Sequence, residues 1–212
     1  QQRRWAKGSV QTARKLLVRI LAAPLPARVR LEALVHLTNN FCYPLMVVLS
    51  LLIFPAMVLR RGSPVPILLL VDLPLFLAAT VSVLAFYLVS QTRDRRPLLR
   101  AACTLPALMA LGIGLAVNNS RAVLSALGKP GGVFDRTPKY ALALGESWRQ
   151  KRYQVGLDVS LWGEGSLVLV LLVATVTALR SGMWLSLPFL YLFLQGYSSM
   201  FAWSLLPVLR RR

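Results

Sequence analysis

From Phe41 to Leu59 the chain reads FCYPLMVVLSLLIFPAMVL, an apolar stretch without a charged side chain. At about 1.5 Å of rise per helical residue, such a stretch matches the ~30 Å hydrocarbon core of a bilayer. No other feature restricts the fold as strongly. In lipid, every backbone N–H and C=O must be satisfied inside the segment, which here means a helix. Apolar blocks recur over about Val65–Val89, Ser160–Leu179 and Met183–Leu206, and the charges lie between them. The balance is 25 Lys and Arg against 7 Asp and Glu, in a chain that is 56% hydrophobic. A soluble nucleic-acid binder with that charge would be polar throughout. Here the basic residues sit beside apolar blocks, as the positive-inside rule requires of cytoplasmic loops. Membrane lipid is the expected partner, and nucleic acid is not.

The expected fold is an all-α membrane protein of about four transmembrane helices in two hairpins, joined by amphipathic interfacial helices and a cytoplasmic loop. Residues 1–40 form a cytoplasmic or interfacial segment, 41–89 the first hairpin, 90–129 a basic interfacial segment, 130–157 the loop, and 158–212 the second hairpin with its basic tail. Within the first segment, Val10, Leu16, Leu17, Ile20 and Leu21 fall near one helical face, while Arg14, Lys15 and Arg19 fall elsewhere. Such a helix suits a membrane surface with anionic headgroups. Pro24 to Pro26 breaks it, and a second short helix leads into the bilayer. The basic run SQTRDRRPLLR and the terminal LRRR place both ends in the cytoplasm, although Arg60 and Arg61 in the first outer turn run against the rule. Residues 97–127 are apolar enough to cross, but they are flanked by basic groups on both sides. A surface-lying or re-entrant element keeps both groups inside and is the preferred reading.

Isolated residues carry less. Cys42 and Cys103 stand in apolar contexts without metal-ligand spacing and read as small buried hydrophobes in a reducing or lipid setting, not as a disulfide. His36, in LEALVHLTNN, reads as a packed or capping residue. Asp72 is costly if it lies inside a span, and either an outer-interface position or a pore-lining one accommodates it. Glu164 reads as interfacial, and the Asn118–Ser120 sequon is discarded because the topology makes it cytoplasmic.

Two constellations could carry chemistry. The opening QQRRW sets Gln1, Arg4 and Trp5 in a Q-x-x-R-W pattern beside the membrane. An indole stacks on the apolar face of a pyranose ring, a guanidinium forks onto phosphate oxygens, and an amide both donates to and accepts from sugar hydroxyls. An interfacial Trp belt with basic neighbours is the plainer explanation. The second is VFDRTPKY, in which Phe134, Thr137 and Lys139 offer a ring, a hydroxyl and a positive charge.

In this order, with spans between them, the two motifs resemble the C-terminal membrane region of the processive family 2 glycosyltransferases, the group of the cellulose, mannan, chitin and hyaluronan synthases. The resemblance covers nearly the whole chain. It implies that Trp5 stacks the acceptor sugar and that Gln1 and Arg4 line the catalytic pocket. It implies that Phe134, Thr137 and Lys139 belong to a gating loop matching the family's F-x-V-T-x-K, with Arg136 in place of the family's Val. It implies inverting transfer from a nucleotide sugar to a growing β-glycan, and passage of that glycan through the spans, with Asp72, Tyr191, Gln195, Tyr197 and Trp203 as possible channel residues. Interface anchoring by Trp203 and helix packing by the Ser198–Ser199 pair explain the last block equally simply. The nucleotide-binding domain, its Mg²⁺ or Mn²⁺ and its catalytic base lie upstream of Q-x-x-R-W in the family. No catalytic or metal-binding residue is therefore expected in this chain, and its own upstream domain is an expected partner. A chain opening on Gln-Gln reads as a piece of a longer protein, and the arginine-rich loops suggest a bacterial inner membrane. Two rival expectations are a non-processive enzyme adding one sugar to a lipid-linked acceptor, and a small transporter or channel subunit. The latter should show paired intramembrane charges or inverted repeats, and neither is visible.

Overall fold

The structure, a computed structural model, describes residues 2–59, 70, 73–93, 98–128 and 159–209. The described residues fold as helices without strands: α1 (Gln2–Ala22), α2 (Ala27–Thr38), a 3-10 turn (Asn39–Phe41), α3 (Cys42–Leu59), α4 (Leu73–Arg93), α5 (Leu98–Gly114), α6 (Ala116–Leu127), α7 (Ser160–Arg180), a second 3-10 turn (Trp184–Ser186) and α8 (Leu187–Leu209). The all-helical expectation holds for these residues. By length and composition, two helical runs can cross a membrane: Ala27–Leu59 and Ser160–Arg180. Ala102–Gly114 and Ala116–Leu127 make a third if the pair, bent by 41°, is one broken span. α8 is long enough at 23 residues, but Gln195, Tyr197, Ser198 and Ser199 dilute its apolar character.

Local boundaries follow the sequence. Pro24 and Pro26 lie between α1 and α2, where a missing N–H and a fixed φ interrupt the ladder. The 33-residue run from Ala27 is about 50 Å long at helical rise, well beyond a ~30 Å hydrocarbon core. Its first turns carry Arg28, Arg30 and Glu32, and none of the residues of α2 is buried. Only 11% of the most apolar window of this run is buried in the protein, so Leu45, Val48, Leu49, Leu51 and Leu52 are left for lipid to cover. α7 ends in a Schellman cap. Gly182 takes φ +68°, Met183 N–H donates to Ala178 O at 2.9 Å, and Gly182 N–H donates to Leu179 O at 3.4 Å. That cap is the tight turn expected at Arg180–Gly182.

Cys42 and Cys103 are free and exposed. Glu164 is 1% exposed and sits in the second turn of α7, where the positive end of the helix dipole favours a carboxylate.

The chain divides into two compact units. The first contains Gln1–Val48, Leu115–Glu164 and Phe201–Arg212; the second contains Leu49–Gly114 and Gly165–Met200. In the first unit α1 packs along α6 and folds back on α2. In the second unit α5 and α8 approach backbone to backbone. A Cβ on Gly114 would lie 2.5 Å from Gly196 O, and one on Gly196 would lie 2.5 Å from Ala110 O. Small residues permit this crossing, as is usual between helices in lipid.

Candidate functional site

The first unit is built on a seam between α1 and α6. The buried residues of α1 are Ala6, Val10 and Ala13, one face at spacings of four and three. On α6, Asn119, Val123 and Ala126 repeat that spacing and are buried. Val10, Val123 and Ala126 form a core cluster against which Phe41 packs. Arg14 Nη1 donates to Ala126 O at 2.7 Å and to Gly128 O at 3.1 Å. Burial on α1 stops at Ala13, where α6 runs out, and Arg14 covers the last carbonyls. Val10 meets both Val123 and Ala126 in this core, and the Arg14 guanidinium lies at the C-terminal end of α6. Small residues at the seam let the helices come close, and the guanidinium meets the negative end of the α6 dipole.

Arg4 and Trp5 stand two and one residues before Ala6, with Trp5 on the outer side of α1. Trp5 is 59% exposed and free to stack on a ligand, while Arg4 is half-buried and already engaged in contacts. α6 also carries buried polar side chains. Asn119 is 0% exposed, and neither its Nδ2 nor its Oδ1 has a hydrogen-bond partner among the described residues. The Ser120 hydroxyl is buried in the same condition. On the flank of α6 that carries Val117, the first turns of α7 approach, and a Cβ on Gly163 would stand 3.1 Å from Val117 Cγ1.

The channel candidates on α8 separate into two kinds. Tyr197 is fully buried in the second unit, and its hydroxyl shares a 2.9 Å hydrogen bond with Ser50 of α3. Tyr191 and Trp203 are exposed, and Gln195 is half-buried. Gln1, Asp72, Phe134, Thr137 and Lys139 lie outside the described residues. Among the described residues no cluster of three His, Cys, Asp or Glu could hold a metal.

Sequence reasoning missed Arg14 and Asn119. Arg14 reads as one of several headgroup-facing cations, and only its position one turn beyond Val10 hints at a partner. Asn119 reads as the middle of a sequon, although an amide four residues before a buried Val on an amphipathic helix was the available signal. Comparison with known protein families, curated proteins and solved structures finds no match for this chain.

Proposed function

We propose that this chain is the membrane-embedded part of an inverting family 2 glycosyltransferase. It helps transfer sugar from a cytoplasmic nucleotide-sugar donor to a growing β-glycan, and it passes that glycan across a bacterial inner membrane. The observation that supports this best is the α1–α6 seam. It joins the helix bearing Arg4 and Trp5 of that motif to the helix that precedes, in sequence, the segment bearing Phe134, Thr137 and Lys139, and Arg14 bridges the two. In this reading Trp5 presents its indole to the acceptor sugar. Arg4 stabilises charge on the departing diphosphate, and Gln1 adds amide hydrogen bonds. The upstream domain supplies the metal ion and the base. The four-span topology, with both ends cytoplasmic and α5–α6 re-entrant, belongs to the same reading.

One observation favours a second reading, transfer of a single sugar to a lipid-linked acceptor. Tyr197, in the most polar part of α8, is engaged with Ser50 and faces no opening. Tyr191, Gln195 and Trp203 remain the channel candidates.

The test uses the full-length protein in membrane vesicles with radiolabelled nucleotide sugars and Mg²⁺ or Mn²⁺. The expected outcome is polymer from one donor, reduced at least a hundredfold by Trp5→Ala. A single-sugar lipid product establishes the second reading, and no incorporation from any donor rejects both.

A further inference from the structure

α2 is an apolar helix without a core of its own. None of its residues is buried. Arg30, Ala33 and Leu37, at spacings of three and four, are partly covered, and Arg30 Nη1 donates to Leu21 O of α1 at 3.5 Å. That contact turns this face toward α1. The opposite face carries Arg28, Leu31 and Val35, again three and four apart. Leu31 is 61% exposed and Val35 60%. Leu25, Val29 and Leu34 are exposed as well, which makes five open apolar side chains in eleven consecutive positions. A single exposed Leu needs no explanation, but a patch does.

Two observations say what covers it. The first is continuity. α2 passes through one 3-10 turn into α3, and Ala27–Leu59 together are long and apolar enough to cross a membrane. With α3 in the bilayer, the charges of Arg28, Arg30 and Glu32 make any position of α2 deeper than the headgroups expensive. The second is charge. Residues 1–38 carry eight Lys and Arg against one acid, Glu32. Arg14 and Arg30 donate to backbone carbonyls, whereas Lys15, Arg19 and Arg28 are exposed. α1 packs against α2, which gathers these cations on one hairpin. A zwitterionic leaflet would cover the apolar face and leave the cations without counter-charge. A second copy of the chain would set the same cations against each other across an isologous contact. An anionic leaflet answers both the apolar face and the charge.

We propose that the outward face of α2 is a docking surface for anionic phospholipid, with Leu31 and Val35 at the acyl boundary and Arg28, Lys15 and Arg19 drawn to headgroup phosphates. The lipid-binding face is thus on α2, not on the part of the α1 stripe that is buried from Ala6 to Ala13. The docking involves no sugar, donor or metal, so it stands or falls apart from the transferase reading.

The experiment places the full-length protein in nanodiscs of phosphatidylcholine alone and of phosphatidylcholine with phosphatidylglycerol. Amide hydrogen exchange is followed over residues 27–38. It is expected to be about three-fold slower, or more, with phosphatidylglycerol. Combining Lys15→Gln, Arg19→Gln and Arg28→Gln is expected to remove that difference, and Arg19→Lys with Arg28→Lys to keep it. Exchange over residues 116–127 reports whether the variants keep the α1–α6 seam. If the Gln variant loosens the seam, wild type in the two bilayers and the Lys variant decide alone. Equal wild-type exchange in the two bilayers overturns the proposal. Equally slow exchange in detergent also overturns it, because a protein segment then covers α2. A lipid effect that survives in a folded Gln variant does the same, since charge is then not its cause. A chain that does not enter nanodiscs removes the spans, and the docking with them.

Discussion

A single guanidinium, that of Arg14, ties together two helices whose residues lie 112 positions apart. It donates to two carbonyls at the end of α6, where backbone acceptors have no helical partner. Hydrogen bonds from a charged donor exceed neutral ones, and a cation at a helix C-terminus adds to them. Arg14→Gln is therefore expected to cost about 1–2 kcal/mol in thermal unfolding and to speed amide exchange over residues 124–128. Arg14→Lys, which keeps the charge but loses the fork, is expected to recover about half. Unchanged exchange at 124–128 in the Gln variant would contradict this account. Little of this was legible beforehand. Arg4 and Trp5 are named by their motif, but Arg14 is one cation among many in a basic helix. Which cation finds a carbonyl depends on tertiary register, and a one-dimensional pattern does not carry register.

For the helices, the sequence was informative about extent and less so about contact. Apolar length located α3 and α7 to within a few residues. Prolines placed the α1–α2 break, and Gly182 placed the turn after α7. Composition could not reveal that the hydrophobic stripe of α1 serves α6 at its Val10 end while Leu16 stays open, because a membrane surface and a protein surface call for the same amphipathic pattern. Nor could it reveal the α5–α8 crossing, since a glycine in an apolar helix looks alike whether or not another backbone lies against it. That crossing makes a sharp expectation. Gly196→Val must displace Ala110 O, Gly114 N or Ile113 Cβ, all within 3.2 Å of the added carbon. Backbone cannot yield as a flexible side chain does, so the variant is expected to lose about 2–3 kcal/mol or more and to lower the yield of folded protein in detergent. Gly112→Ala on the facing helix α5 meets nothing within 4 Å and serves as the control. Equal loss in both variants would show that helix propensity, not the crossing, is at work.

In the molecule as a whole, the apolar surface left open is the dominant fact. Leu45, Leu51, Leu52, Val81, Phe86, Leu169 and Leu172, spread over α3, α4 and α7, are all exposed. A soluble protein rarely leaves so much apolar surface uncovered. The chain is expected to stay with membranes through high-salt and alkaline washing and to leave them only in detergent. Recovery in the alkaline supernatant would remove the basis for reading these helices as spans. This level was the most legible, because lipid acts on composition directly and requires no knowledge of which helix meets which.

The α1–α6 seam also sets an order of events during synthesis. Ala6, Val10 and Ala13 leave the ribosome first, yet the face that covers them, Asn119 to Ala126, follows more than a hundred residues later. At about 5–20 residues per second, that delay is on the order of ten seconds. Throughout it, the face of α1 that α6 later covers has no α6 to meet while α3 and α4 are made. The seam cannot close until α6 has been made.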